Sequence, residues 1–294
     1  MASRRGGSIT SEVMETPHSP SYVRGMMNVS FSPRPFGDLL REWRQRRRVS
    51  QLDLALDAEI SARHLSFVET GRSQPSREMV LRLAERLEVP LRERNQLLVS
   101  AGYAPVFPER PLGDPALQAA RKAIDLVLAG HEPYPALAVD RHWNLVSANA
   151  AVTRLIADVA APLMKPPVNV LRLSLHPDGL APRIANLAEW RAHLLARLRQ
   201  QIEISADPVL AELLSELSAY KAPASRTPPA VDSEYGGVVV PFRLHTDGGV
   251  LSFISTTTVF GTPVDITLSE LALESFFPAD AATADALHGE RVSG

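Results

Sequence analysis

The sequence predicts a chain in two folded parts, an all-α domain followed by an α+β domain with an antiparallel sheet. Three observations carry this. From residue 36 to about 100, apolar residues recur at helical spacing with no β-rich run among them. Two hairpin-like stretches follow, one near 135–148 and one over 237–260, each divided by a short polar turn. Helical patterns fill the space between those hairpins, which suggests a sheet carrying helices on one face.

Residues 1–34 are rich in Ser, Pro and Gly and have no periodic apolar face, so disorder is expected. Met26 and Met27 lie shortly before the first helix, and either could be the translation start. Phe36, Leu39, Leu40 and Trp43 then follow the i, i+3, i+4, i+7 rule. Ser50 is a good N-cap, and Leu52 and Ala55 share a face behind it. Glu59-Ile60-Ser61 resets the chain, with Ser61 placed to cap the next helix. In that helix Leu65 and Val68 point inward, leaving Ala62, Arg63, Ser66 and Phe67 outward. Gly71 reads as a stop and Pro75 as a turn, and Val80, Leu83, Ala84 and Leu87 repeat the helical rule. Pro90 starts a further helix through Leu91, Leu97 and Leu98, ending near Gly102.

A short helix, a tight turn and a second polar-faced helix form a helix-turn-helix, the unit that lays one helix into the DNA major groove. From Ser50 to Gly71 the chain resembles, without gaps, the Xre/lambda-repressor-type DNA-binding domain. The resemblance implies a domain over 35–103, with Gln51 bonding a backbone phosphate. It also implies that Ala62, Arg63, Ser66 and Phe67 sit at or near base-reading positions, with Ser61 and Arg72 among the DNA-binding residues at either end of the helix. A guanidinium can bond guanine O6 and N7 together, which makes Arg63 the sharpest candidate. An arginine on a solvated face is the plain alternative. Phe67 stands where a polar residue is common, and it could touch a thymine methyl or pack. His64 divides between phosphate contact and helix packing.

Charge agrees once it is divided along the chain. The net −2 hides 16 basic and 12 acidic side chains in residues 1–94, against 15 and 21 in residues 95–294. Arg44, Arg46, Arg47 and Arg48 precede the motif and would form part of a phosphate-facing surface, or a solvated run favoured by the helix dipole. No apolar run approaches a membrane span and no signal peptide is read. With no cysteine there is no disulfide or thiolate metal site, which fits a cytoplasmic protein.

Pro105 to Gly113 reads as a linker, placed at 104–114. The second domain, 115–285, opens with a helix over about 115–129 bearing Leu117, Ala120, Ile124 and Leu128. Residues 135–148 form a hairpin turning at Arg141-His142-Trp143-Asn144, and a helix begins at Asn149. Helices dominate from Asn169 to Tyr220, broken at His176–Gly179. A Pro/Ser/Ala-rich loop covers 222–233, and the runs Gly237–Leu244 and Val250–Phe260 should pair across Thr246–Gly249. Residues 286–294 are left as a tail.

Four segments here resemble the MmyB-like ligand-binding regulators: Val139–Asn144, Asn169–Arg172 through His176–Leu180, Asn186–Leu194, and Ser255–Pro263. That resemblance implies a PAS-like fold and a small, largely apolar ligand, with a fatty-acid-like molecule the best-motivated guess. Trp143, Trp190, Leu194, Phe242, Phe253 and Phe260 are candidates to line the pocket, against an ordinary core. A carboxylate headgroup would need a donor, for which Arg172, Arg191 and His193 are candidates, each with a structural alternative.

Enzymatic motifs are lacking: no phosphate-binding Gly-rich loop, HExxH, nucleophile elbow or Cys/His metal spacing occurs. His176 and Asp178 flank a helix-ending turn and are read as structural. Asp265, Glu270 and Glu274 are read as capping and solvated charges at a strand–helix join. The expectation is a non-enzymatic, cofactor-free transcriptional regulator. It would bind a double-stranded operator as a homodimer and respond to a small apolar ligand, without membrane association. The alternative is a repressor whose second domain binds a protein partner.

Overall fold

The computed structural model describes residues 34–221, 239–261 and 263–292. The expected disorder of 1–34 (Arg34 apart), the loop at 222–233 and the first residues of the β-rich run at 237 lie outside them.

Local signals set the first five helices. Pro35 precedes α1 (Phe36–Arg46), and the hydroxyls of Ser50, Ser61 and Ser76 accept from backbone N–H groups to cap α2 (Gln51–Asp57), α3 (Ala62–Glu69) and α4 (Arg77–Arg86). Pro90 precedes α5 (Leu91–Ser100). Between α2 and α3 the tight turn puts Glu59 at φ +56°, a left-handed conformation often given to glycine. Leu40, Leu54, Leu65, Leu83, Leu97 and Leu98 are fully buried in one core. Leu52, expected to share a buried face with Ala55, is 59% exposed. Leu54 takes the inward position, because the helix turns 100° per residue and Ala55 selects the 54/55/58 side. Gly37 lets α1 close on α3: a Cβ there would lie 2.4 Å from the Glu69 carbonyl oxygen.

The expected linker is pinned. Asn95 Oδ1 accepts from the N–H groups of Val106 and Phe107, and Asn95 Nδ2 donates to the Phe107 carbonyl at 2.7 Å. Asp114 caps a one-turn 3-10 segment, Pro115–Leu117, that leads into α6 (Gln118–Gly130).

β1 (Ala136–Val139) and β2 (Leu145–Ala148) form the expected hairpin, and α7 (Ala150–Leu155) is capped by Asn149. α8 (Val170–Leu175) ends at the His176–Gly179 turn. The His176 ring nitrogen Nδ1 accepts from the Asp178 N–H there, as a structural reading requires. The helical stretch to Tyr220 has a further break: α9 (Leu187–Ser205) stops at Ala206, φ +59°, and Asp207 caps α10 (Pro208–Ala219).

β3 (Phe242–Thr246) and β4 (Gly249–Val259) pair as expected. Beyond α11 (Ile266–Ser269) comes β5 (Ala272–Pro278), a strand the sequence reading missed. It lies between the two hairpins and joins them into one antiparallel sheet in the order β2-β1-β5-β4-β3. α12 (Ala281–Val292) follows, so the expected tail starts inside a helix.

Helices cover both sheet faces rather than one. Side chains alternate along β1, so Leu137 and Val139 enter the main core with α9 and α10, while Ala136 and Ala138 meet Ile124 and Leu128 of α6. Both sides of β1 are therefore apolar. Among the described residues no helix is long and apolar enough to cross a membrane.

Candidate functional site

α3 presents Arg63, 63's neighbour His64, Ser66 and Phe67 away from the core that holds Leu65 and Val68. The Arg63 guanidinium lies 5.3 Å from the centre of the Phe67 ring, and the Arg72 guanidinium lies 5.9 Å from it. Phe67 is thus a shared platform for two exposed cations. Its carbonyl also accepts from the Arg72 and Ser73 N–H groups, which fixes the chain leaving α3. Ala62 is half-buried and Ser61 caps the helix through the His64 N–H.

The arginine run is more committed than expected. Arg44 forks onto Glu69 and also donates to the Val49 carbonyl. Arg47 donates to the carbonyls of Leu87 and Glu88. Arg46 and Arg47 both lie over the Trp43 ring and reach the Glu203 and Ile204 carbonyls at the end of α9. A uniformly free phosphate-facing surface is therefore replaced by a set of helix-terminal bonds, since α4 and α9 both end beside this run. Gln51 donates to Glu69 at 2.6 Å. Burial alone would raise the Glu69 carboxyl. Hydrogen bonds from Arg44 and Gln51, with the charges of Arg44 and Arg41, outweigh it and hold the group below its ordinary value.

In the second half, α8, α9 and the sheet line an apolar cavity of about 100 Å³ that is partly open to the surface. Trp143, Trp190, Leu194, Phe242 and Phe253 line it, together with Leu171 and Phe276. The Trp190 indole N–H donates to Ser174 Oγ at 3.0 Å, and that of Trp143 to Gln201 Oε1 at 2.8 Å, so neither leaves an unpaired donor in the wall.

Four other candidates lie elsewhere. Arg191 donates to the carbonyls of Leu217, Ser218 and Tyr220, where α10 ends. His193 stacks on Trp190 with ring centres 5.5 Å apart, and burial lowers its pKa. Phe260 follows β4 and packs against the cluster on the opposite sheet face. Arg172, the remaining headgroup candidate, is paired with Glu216.

The cavity's own charged residues are Arg197 and Glu274. Reading Glu274 as a solvated charge is corrected by β5, which buries it to 4% exposure opposite Thr257. Arg197 Nη1 donates to Glu274 Oε2 at 3.1 Å, Nη2 to Glu274 Oε1 and Thr257, and the guanidinium lies 4.6 Å from the Trp143 ring centre. Spacing carried a signal for this: Trp190, Leu194 and Arg197 fall at i, i+4, i+7 on one helical stripe.

The turn that delivers Trp143 to the cavity also reaches the first five helices. Asp140 Oδ1 accepts from the N–H groups of His142 and Asn144, setting the turn. Arg141 then bonds Glu270 and Asp207, and lies 3.9 Å from Glu93 of α5. Glu270 also binds Arg92 of α5 at 2.8 and 2.9 Å, so it joins that helix to the turn and is no free charge. Asp265 does cap, accepting from the Thr267 N–H, yet is buried and paired with Arg110. Burial alone would raise Asp207, but bonds from His142 and the Val209 N–H and the Arg141 charge hold it low, while burial raises Glu93.

A family model for the MmyB-like transcription regulator ligand binding domain matches residues 120–289, and one for a helix-turn-helix domain matches residues 35–97. An HTH-type transcriptional regulatory protein of Methanoculleus marisnigri is 36% identical over 116 residues, covering 38% of this chain and 37% of that protein. The HTH-type transcriptional regulator RghRB of Bacillus subtilis is 37% identical over 76 residues, 26% of this chain and 52% of that protein. The chain thus spans about half or less of these relatives' length. The crystal structure of the clp gene regulator ClgR from Corynebacterium glutamicum matches 33% of this chain and 90% of its own, at 28% identity and a TM-score of 0.21.

Proposed function

The chain belongs to the family of MmyB-like transcription regulator ligand-binding domains, and from that premise we propose that it binds an operator through α3 and adjusts its affinity to a compact apolar ligand held against Trp143 and Trp190. The observation that carries this reading is the apolar cavity, whose wall helix α9 ends on Arg46 and Arg47 of the helix-turn-helix part. A ligand changes DNA affinity only through unequal affinity for two arrangements, and a wall shared by the cavity and that junction supplies such a difference.

Size narrows the ligand. A cavity of about 100 Å³ falls below the roughly 150 Å³ that accepts benzene and the roughly 300 Å³ at which drug-sized pockets begin. At this size it holds a short alkyl segment smaller than benzene, and any larger ligand, a six-carbon chain included, requires the wall to yield. Two copies would act together on paired half-sites, because one reading helix makes few base contacts.

The test begins with native mass spectrometry of freshly purified protein to identify a co-purified molecule. Operator affinity, on a site selected from random DNA, is then measured with that molecule present and after its removal. Equal affinities in the two states would refute ligand control, and an absence of sequence preference would refute the operator reading.

A further inference from the structure

The cavity's single ion pair bears on the charge of what it accepts. Apart from Arg197 and Glu274, the lining is aliphatic or aromatic except for Ser174, whose oxygen already accepts from Trp190. Arg197 spends two nitrogens on Glu274 and stacks on Trp143, so its hydrogen-bonding edge is turned to an acid of the protein itself. Glu274 sits in the middle strand of five, its neighbours β1 and β4 paired on either side, and is fixed there by Thr257 as well.

Resting on the ligand-binding reading above, we infer that the cavity selects uncharged apolar molecules and rejects ionised carboxylates, with Glu274 as the discriminating residue. An incoming carboxylate would have to share Arg197 with a buried carboxylate already bonded to it. Two like charges on one guanidinium, in surroundings that screen them poorly, repel strongly. Displacing Glu274 is no escape, because a buried acid stripped of its partner bears the full desolvation cost. An alcohol, ketone or ester brings no such conflict, and the Ser174 hydroxyl lies in the same wall to meet its oxygen.

The test uses the full chain and two probes of equal length, 1-hexanol and hexanoate, at pH 7.5, where hexanoate is ionised. Binding is followed by tryptophan fluorescence, since Trp143 and Trp190 form the wall, and by the rise in melting temperature with probe concentration. Wild-type protein is expected to bind hexanol at least tenfold more tightly than hexanoate. Glu274→Gln keeps the side-chain shape and frees Arg197, and is expected to raise the hexanoate-to-hexanol affinity ratio at least tenfold. Equal wild-type affinities for the two probes overturn the inference, and this comparison stands even if the variant folds poorly. An unchanged ratio in a folded variant overturns the assignment to Glu274. If neither probe binds, the ligand-sensing reading itself falls and the inference falls with it.

Discussion

Arg44 on α1 donates to both carboxylate oxygens of Glu69 at the end of α3, at 2.6 and 3.0 Å, and Glu69 is 2% exposed. Gln51, at the start of α2, bonds the same carboxylate. Three helices of the DNA-reading half therefore meet on one buried acid. The orientation of α3 relative to α1 and α2 is set by a polar contact as well as by Leu40, Leu54 and Leu65 beneath it. At Gly37 the backbone of α1 comes against the backbone of Val68 and Glu69 with no room for a Cβ between them.

Removing that acid should loosen the reading helix. Glu69→Ala leaves Arg44 with only the Val49 carbonyl and is expected to cost about 3 kcal/mol of stability. Because the folded carboxyl lies below its ordinary value, its contribution is fully present above the unfolded pKa of about 4.3 and fades as pH falls through the lower folded value. Wild-type protein should thus lose stability steeply in acid, and Glu69→Gln should flatten that part of the curve. Urea melts from pH 3 to 7 check both, and parallel curves for wild type and Glu69→Gln would contradict the account.

On the DNA side, Arg63→Ala is expected to cost about 1–3 kcal/mol of operator affinity and to relax selectivity at one base pair. Phe67→Leu should reproduce part of that loss, roughly two- to fivefold, by removing the ring beneath Arg63 and Arg72, and Phe67→Tyr should restore it. Selection from random DNA reads the base preference. Should Phe67→Leu bind as wild type does, the ring packs without positioning the arginines.

The helix-turn-helix was legible because its information is local: caps at Ser50, Ser61 and Ser76 and a period of 3.6 suffice. β5 was not, because Leu271 to Pro278 carries Glu274 in its middle and so reads as a charged join. Only tertiary pairing with β1 and β4, and the arrival of Arg197 from α9, make a strand and a buried acid of it. The cavity was half legible. Aromatic size singled out the tryptophans, whereas Arg191 and His193 were drawn in by nearness to Trp190: a rotation of 100° turns Arg191 off its face, and His193, three residues on, shares that face and stacks on the indole without entering the lining. Arg141 was overlooked because both carboxylates it hydrogen-bonds are more than 60 residues away.

Filling the cavity should imitate a ligand. Ala192 lies on the exposed face of α9, so enlarging it reaches solvent. Val152 is buried in the lining, and Val152→Phe is expected to cost about 1–3 kcal/mol through overpacking while abolishing the thermal response to 1-hexanol. Persistence of that response at wild-type strength would place the binding site elsewhere.

Communication between the halves should depend on Glu270. This carboxylate binds Arg92 of α5 on one side and Arg141, two residues before the cavity-lining Trp143, on the other. It touches neither the cavity nor the outward face of α3, so its loss tests the junction without altering either binding surface. Glu270→Ala leaves Arg92 with Glu109 and Arg141 with Asp207, and reduces the tie between α5 and the turn to the 3.9 Å approach of Arg141 to Glu93. Allosteric coupling is a free energy that both sites share, so a weakened junction lowers each ligand's effect on the other equally. In calorimetry the variant is expected to melt over a broader range or in two steps where wild type melts in one. The change in operator affinity on adding 1-hexanol should shrink toward none. A full wild-type response with a single sharp transition would move the junction's weight to the other contact, where Arg46 and Arg47 of α1 hold the end of α9.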